Sequence, residues 1–446
     1  MREPDWVQED RQAAWSEFSA IEAIAGTGAG AAASGRSVPA AVAAGEVLRV
    51  PGGGADTANG GTWFEVAAPA GVTVMPLAQA IARHPDLVRQ AFAAAATTAD
   101  PSRARKERSE RNRLDAGRAI AVARAFWTDG VFVYVPDEIS PAGPIVLHLP
   151  AGGATHAGVP AASPAILRVV VAVGRHSRAT VVETWNVGAT GITAPAEIVA
   201  ATEIIAAEGA EVHFSRVQSL PRPAKAAFAM TGVLERDARL RWTIVDVGGS
   251  ATFSAAAVAL RGEGARTDGA ALFVGTGDER RDVRAMIEHE AARTGSEMAI
   301  RGALADRAKA SFAGHTDISP GAKGTTGRQT VKTLLLSPDA RIDALPALEI
   351  DDWDVDAGHA ASAGSVDETA LYYLMSRGIP REIAIAMLVE AFIEPLVQRL
   401  PGNEMPRDGM PGNRLREAAA AFIRRKLAGA EAAEGQANTP AEGVAI

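Results

Sequence analysis

The spacing of apolar positions changes character twice along the chain. From Gly130 to about residue 350, apolar and β-branched residues alternate with polar ones, as in "GVFVYVPDEISPAGPIVLHLP" (130–150). Alternation with a period of two, broken by Pro and small turn residues, predicts short strands. On both flanks the spacing is helical. "GVTVMPLAQAIARHPDLVRQAFAAAA" sets Leu77, Ile81, Leu87 and Phe92 at helical intervals, and Trp6, Trp15 and Phe18 supply apolar contacts for a short helix within the first 23 residues. "GTGAGAAASGRS" and "PGGGADTANGG" between them read as loop. After Gly364, Asp367 can cap "ETALYYLMSR" and Gly378 can close it. Pro380 can open a second helix, "PREIAIAMLVEAFIEPLVQRL", which Pro395 kinks or shortens. A linker, "PGNEMPRDGMPG", precedes a third amphipathic helix, "NRLREAAAAFIRRKLAG", and the Ala/Glu/Gly-rich end from about Ala430 has a disordered composition.

Within the strand region a turn recurs: "GRHSRATVV", "AAEGAEVHF", "LERDARLRW", "LRGEGARTD", "LADRAKASF" and "LSPDARIDA". Each has a polar turn, an alanine and a return to extended chain. The alanines are Ala179, Ala210, Ala238, Ala265, Ala308 and Ala340, at intervals of 31, 28, 27, 43 and 32. A period near 30 marks a solenoid, in which each turn buries its apolar face against its neighbours. Segments this short and β-branched predict a β-solenoid, with an alanine where successive coils pack closely. The long interval, which holds "VRAMIEHEAARTGSEMAIRG", has room for an extra coil. The expected organisation is a mainly helical N-terminal domain (1–128), a β-helix core (129–364), a C-terminal helical domain (365–429) and a disordered tail (430–446).

Composition narrows the function. The net charge of −8 opposes nonspecific binding to nucleic acid or anionic lipid, and 5% aromatic content leaves few base-stacking platforms. The basic run "RARKERSERNRLDAGR" (103–118) is interrupted by acids and reads as a solvated helix face. The chain has no cysteine, so thiolate chemistry has to come from a partner. With no apolar signal core at the start and no apolar run of about 18 residues, a cytoplasmic protein is expected.

One stretch carries candidate chemistry, "EIDDWDVDAGHAASAGSVDE" (349–368). Asp352, Asp354 and Asp356 alternate as in a calcium loop, but Ala357 stands where a glycine is needed and Ala363 where a bidentate glutamate is needed. In an extended segment the three carboxylates would share one face, which leaves a solitary polysaccharide-active β-helix enzyme as a rival reading. His359, flanked by Gly358 and Ala360, is an accessible imidazole candidate, although a lone histidine is more often structural or solvated.

"LLLSPDARIDALPALEI" followed by "DVDAGHAASAGSVDETALYYLMSRGIPREIAIAMLVEAF" resembles the C-terminal signature of the SufB/SufD family of iron-sulfur cluster assembly proteins. "AFWTDGVFVYVP", "GEGARTDG" and "SFAGHTDISPGAKGTTGRQT" match in kind and order, so the likeness covers roughly residues 120 to 400. Lacking cysteine, the chain resembles the SufD-like branch, in which an accessible histidine aligns with His359. It departs from many of those sequences in having Asp356, Ala357 and Gly358 where they read Lys-Cys-Ser. The resemblance implies a right-handed parallel β-helix flanked by helical domains. It implies a noncatalytic scaffold subunit that pairs with a SufB-like paralogue and binds a SufC-like ABC ATPase, with no nucleic acid or membrane partner. No Walker motif occurs in this chain, as that division of labour requires. It implies no tightly bound cofactor of the chain's own, a transient Fe-S cluster at the SufB-like interface with His359 as a ligand, and reduced flavin in some complexes. A homodimer is a further option when the chain is alone. Tyr372, Tyr373, Met375 and Arg377 are candidates for the ATPase-docking surface. Core packing is the alternative for each and the stronger reading for Tyr373. A purely structural adaptor, with no chemical role for His359, is the remaining option.

Overall fold

The computed structural model describes Gln8, Gln12 and residues 48–51, 62–99, 121–127, 129–149, 165–185 and 197–401. These form a parallel β-solenoid of about seven turns, with helices toward its ends. One sheet holds β1 (Leu48–Pro51), β2 (Thr62–Ala67), β5 (Ile145–His148), β7 (Arg178–Trp185), β9 (Glu211–Gln218), β11 (Arg239–Asp246), β13 (Arg266–Gly275), β15 (Gly295–Leu304), β17 (Thr325–Leu335) and β19 (Val355–Gly364), in that spatial order. The facing sheet holds β3 (Thr73–Pro76), β4 (Asp129–Val135), β6 (Ala165–Val173), β8 (Glu197–Ala206), β10 (Lys225–Leu234), β12 (Ala251–Leu260), β14 (Arg280–His289), β16 (Lys309–Ile318) and β18 (Arg341–Ile350). Each coil therefore contributes one strand to each sheet. The strands from β4 to β19 pair in parallel, whereas β1, β2 and β3 join antiparallel at the N-terminal end. The expectation of a mainly helical segment over 1–128 is corrected to this extent: three of its strands extend the solenoid sheets.

The repeat noticed in the sequence is a stacked corner. Ser177, Ala210, Ala238, Ala265, Thr294 and Thr325 precede registered positions of successive strands, and all are buried. The residue before each, His176, Gly209, Asp237, Gly264, Arg293 or Gly324, has φ between 53° and 76°. That left-handed step turns the chain sharply, and the small corner side chain lets backbones stack: Arg239 N–H donates to Ala210 C=O, Arg266 N–H to Ala238 C=O and Gly295 N–H to Ala265 C=O. Three of the six alanines do not sit at this corner. Ala179 lies two residues past the corner, where Ser177 sits. Ala308 and Ala340 occupy the opposite corner, in line with Ala224, Ser250 and Glu279. The 43-residue interval thus crosses from one corner to the other, one and a half coils on, and hides no extra coil.

Inward positions form a continuous apolar core running from Val131 and Val181 to Phe312 and Val331. Close approach demands glycine at Gly269, where a Cβ would lie 2.1 Å from the Trp242 ring. Helices cover part of each outer face. Helix α1 (Leu77–Arg83) and α2 (Pro85–Ala99) pack Leu77, Ile81, Val88 and Phe92 against Phe132, Val170 and Ile205, so Leu77, Ile81 and Phe92 are buried as their spacing predicts. At the other end α3 (Glu368–Ser376) leads into α4 (Arg381–Val397), whose Val389, Ile393, Leu396 and Val397 cover Ala270, Leu272 and Ala303. Asp367 caps α3 through Thr369 and Ala370 N–H, Gly378 turns at φ 83°, and Pro395 lies in the last turn of α4. The proposed third helix, the tail, the basic run 103–118 and the N-terminal helix, Gln8 and Gln12 aside, lie outside the described residues. No described helix is long and apolar enough to cross a membrane.

Candidate functional site at the last coil

Among the described residues the final coil, β18 and β19, stacks on only one side, so its inward face opens at the C-terminal end of the solenoid. Register shows what lines that mouth. Val181, Phe214, Trp242, Gly269, Met298 and Gln329 form one inward column, and the next rung of it is His359. In buried coils this column is mostly apolar. At the last rung the space belongs to an exposed imidazole with Ala357 and Ala361 two residues to either side. Beneath it, Gln329 is buried and donates from Nε2 to Thr316 Oγ1 (2.7 Å) and Ala347 C=O (3.0 Å), which gives the mouth a polar floor. From the facing sheet, Ala344, Pro346, Leu348 and Ile350 share the inward parity of Ile342, and Ile350 is 42% exposed. The mouth is an apolar ring with one titratable group. The alternation in "ALPALEI" carried this signal, but it reads as ordinary core until the coil is known to be last.

The acidic run does not form the shared face expected of it. Asp352 and Asp354 lie in the turn before β19, and only Asp356 is on the strand. Asp352 accepts the backbone N–H groups of Asp354 and Gly321, both at 3.1 Å. The Asp354 N–H above all, helped by the Gly321 N–H and the Lys323 charge, holds the Asp352 carboxyl below the usual range. Asp356 instead pairs with Arg328 at 2.7 Å. The carboxylates are divided between turn formation and a surface ion pair, so the paired-acid and calcium readings lose their geometry.

The docking candidates stand on α3 and the turn after it. Tyr372 is 74% exposed, Tyr373 57% and Met375 42%, and Arg377 is also exposed, lying 5.2 Å over the Tyr373 ring. Leu371 alone anchors α3 at full burial. Core packing for Tyr373 is therefore corrected. Sequence reasoning missed Ile383 and Met387 of α4, exposed by 54% and 45%, which add apolar surface at i, i+4 spacing. Helical periodicity marks such residues as apolar but does not say which of two apolar faces meets the sheet.

Residues 156–392 match the family model described as "SUF system FeS cluster assembly, SufBD core domain". The chain is 30% identical over 290 residues to the iron-sulfur cluster assembly protein SufD of Bacillus subtilis, covering 65% of this chain and 64% of that one. It is 26% identical over 286 residues to SufB of the same organism, covering 63% and 58%. An iron-sulfur cluster assembly SufBD family protein of Mycobacterium tuberculosis is 29% identical over 202 residues, 45% of this chain and 24% of its own length. The matches span less than two thirds of these relatives. The solenoid, the match across half the chain and the higher identity to SufD converge: the chain belongs to the SufB/SufD family of iron-sulfur cluster assembly proteins and is SufD-like within it.

Proposed function

We propose that this chain is a noncatalytic, SufD-like subunit of a cytoplasmic iron-sulfur assembly scaffold. It would pair through its last coil with a cysteine-bearing SufB-like paralogue and bind a SufC-like ATPase through α3 and α4. The observation that carries this reading is the open mouth of the solenoid, where strand edges unpaired among the described residues surround His359. Unpaired edges in both sheets favour extension by another β-structured chain. The nascent cluster is cargo. With no cysteine of its own, this chain can offer only part of a ligand set. An imidazole such as that of His359 is a competent iron ligand, as in Rieske-type centres, and the partner's thiolates would supply the rest. The exposed Tyr372, Tyr373, Met375, Arg377, Ile383 and Met387 would form the ATPase face, since aromatic, Met and Arg side chains are the types enriched at interfaces. Reduced flavin, where it takes part, would belong to the assembled complex.

Coexpression with a SufB-like paralogue and a SufC-like ATPase, followed by mass measurement and anaerobic reconstitution, tests the reading. A defined complex that holds iron and sulfide only when the paralogue is present is the expected result. His359→Ala should leave complex formation intact and lower cluster yield. Wild-type yield would remove the ligand role and leave a structural adaptor, and failure of the three chains to associate would remove the scaffold role itself.

A further inference from the structure

A second donor set lies on the outer face of the β14–β16–β18 sheet. Glu288, Asp317 and Glu349 are directly in register on these three strands, one per strand. Two residues earlier the same rungs carry Met286, His315 and Ala347. Successive rungs are about 4.8 Å apart, so the column brings three carboxylates side by side. The small Ala347 leaves room for the imidazole of His315 to lean diagonally toward Glu349, with Nε2 at 3.6 Å from Oε2. His315, Asp317 and Glu349 each place one ligand atom within 4.8 Å of the others. All are shielded: His315 is 2% exposed, Asp317 6%, Glu349 12% and Glu288 4%.

We infer that His315, Asp317 and Glu349 form a binding site for one divalent first-row cation, with ferrous iron, manganese and zinc as its class. One imidazole and two carboxylates are a mixed borderline and hard donor set that suits these ions. Two ligands of one such cation stand about 3–4 Å apart, so the existing spread closes by small side-chain rotations on a rigid sheet. Glu288, next in the column, adds negative charge beside the cation. The site is independent of the role assigned to His359. His315 and Asp317 are on β16 and face outward, whereas His359 lies on β19 of the facing sheet and belongs to the inward column.

The test uses the full chain, stripped with a chelator and then dialysed anaerobically against Fe(II), or against Mn(II) or Zn(II), before desalting and metal analysis. Wild type and His359→Ala should each retain one ion per chain, and the thermal midpoint of each should rise with the metal. Asp317→Asn and Glu349→Gln, which keep side-chain volume, should bind at least about tenfold more weakly, because even outer partners of metal ligands are worth 10–100-fold. Their metal-free thermal midpoints report whether they fold. Cobalt(II) loading should give a visible spectrum that changes in His315→Gln. Absence of a stoichiometric ion in wild type would overturn the inference. So would full retention in folded Asp317→Asn and Glu349→Gln, or loss of the ion in His359→Ala.

Discussion

Inside the solenoid Glu183 and Arg216 are paired in register with no exposure at all, Nε to Oε1 at 2.9 Å. Glu183 also accepts from Trp185 Nε1 (2.6 Å) and Thr202 Oγ1 (2.7 Å), and the guanidinium lies 5.2 Å from the Phe228 ring. Breaking such a pair strands a charge in the core, so Glu183→Leu or Arg216→Met alone should each cost about 3–5 kcal/mol, whereas the double substitution should recover most of that loss. Denaturant midpoints of the three variants check this. His289 offers a pH readout. Burial pushes its pKa down to about 4, and its ring nitrogens meet Thr294 and Ser296 hydroxyls. The unfolded chain, with an ordinary histidine pKa near 6.5, binds the proton first, so stability falls as pH drops from about 6.5 toward 4. The loss attributable to His289 is about 2 kcal/mol at pH 5. His289→Gln should flatten that limb of the stability-against-pH curve between pH 7 and 5. None of these residues stands out in the sequence, because an acid or histidine at an inward parity reads as a break in the pattern until its partner a coil away is known.

At the scale of elements, α4 is held to the solenoid by apolar burial and by Arg399, which reaches Asp268 Oδ1 at 2.7 Å and its carbonyl at 2.9 Å. Arg301 donates to the Phe392 carbonyl and lies 5.2 Å from that ring. Ile393→Ala should therefore loosen the helix from the sheet by about 2–5 kcal/mol, seen as faster hydrogen exchange through α4. Tyr372→Ala with Ile383→Ala touches exposed side chains only. It should leave the thermal midpoint within about 1 °C of wild type while weakening capture of a SufC-like ATPase; unchanged capture would free α3 and α4 from the docking role. The helix signals here were local and therefore legible: Asp367, Gly378 and Pro380 act within one turn of chain. The corner turn was legible for the same reason. Its assignment to two opposite corners was not, because both use the polar-turn-alanine sequence and only strand pairing tells them apart. The acidic run misled because alternation was extended back through Asp352 and Asp354, whose carboxylate and carbonyl instead serve the turn.

For the whole molecule, the sheets run without a register break from β6 to β18 on one side and from β7 to β19 on the other. The fold class was readable from the period, since a solenoid writes its repeat into the chain. The position of the site was readable only through resemblance, because no rule of composition says which coil is last. An isolated chain ending in such edges should self-associate at high concentration. Ala361→Lys, which puts a charge into the mouth, should keep it monomeric in analytical ultracentrifugation.

The last coil is lightly filled on the sheet that carries His359. Its inward face on β19 is built from Val355, Ala357, His359, Ala361 and Ala363, far less bulk than Phe214, Trp242 or Met298 provide in the same sheet. A rung so lightly filled gains little from closing on itself, and in a one-dimensional stack the end unit frays first. A partner abutting this end, as proposed, would act as its cap, and ordering of the rung and association would become a single thermodynamic event. Under the proposed pairing with a SufB-like paralogue, the imidazole would be locked in place only in the assembled state, so the geometry needed to hold a metal would come into being together with that complex.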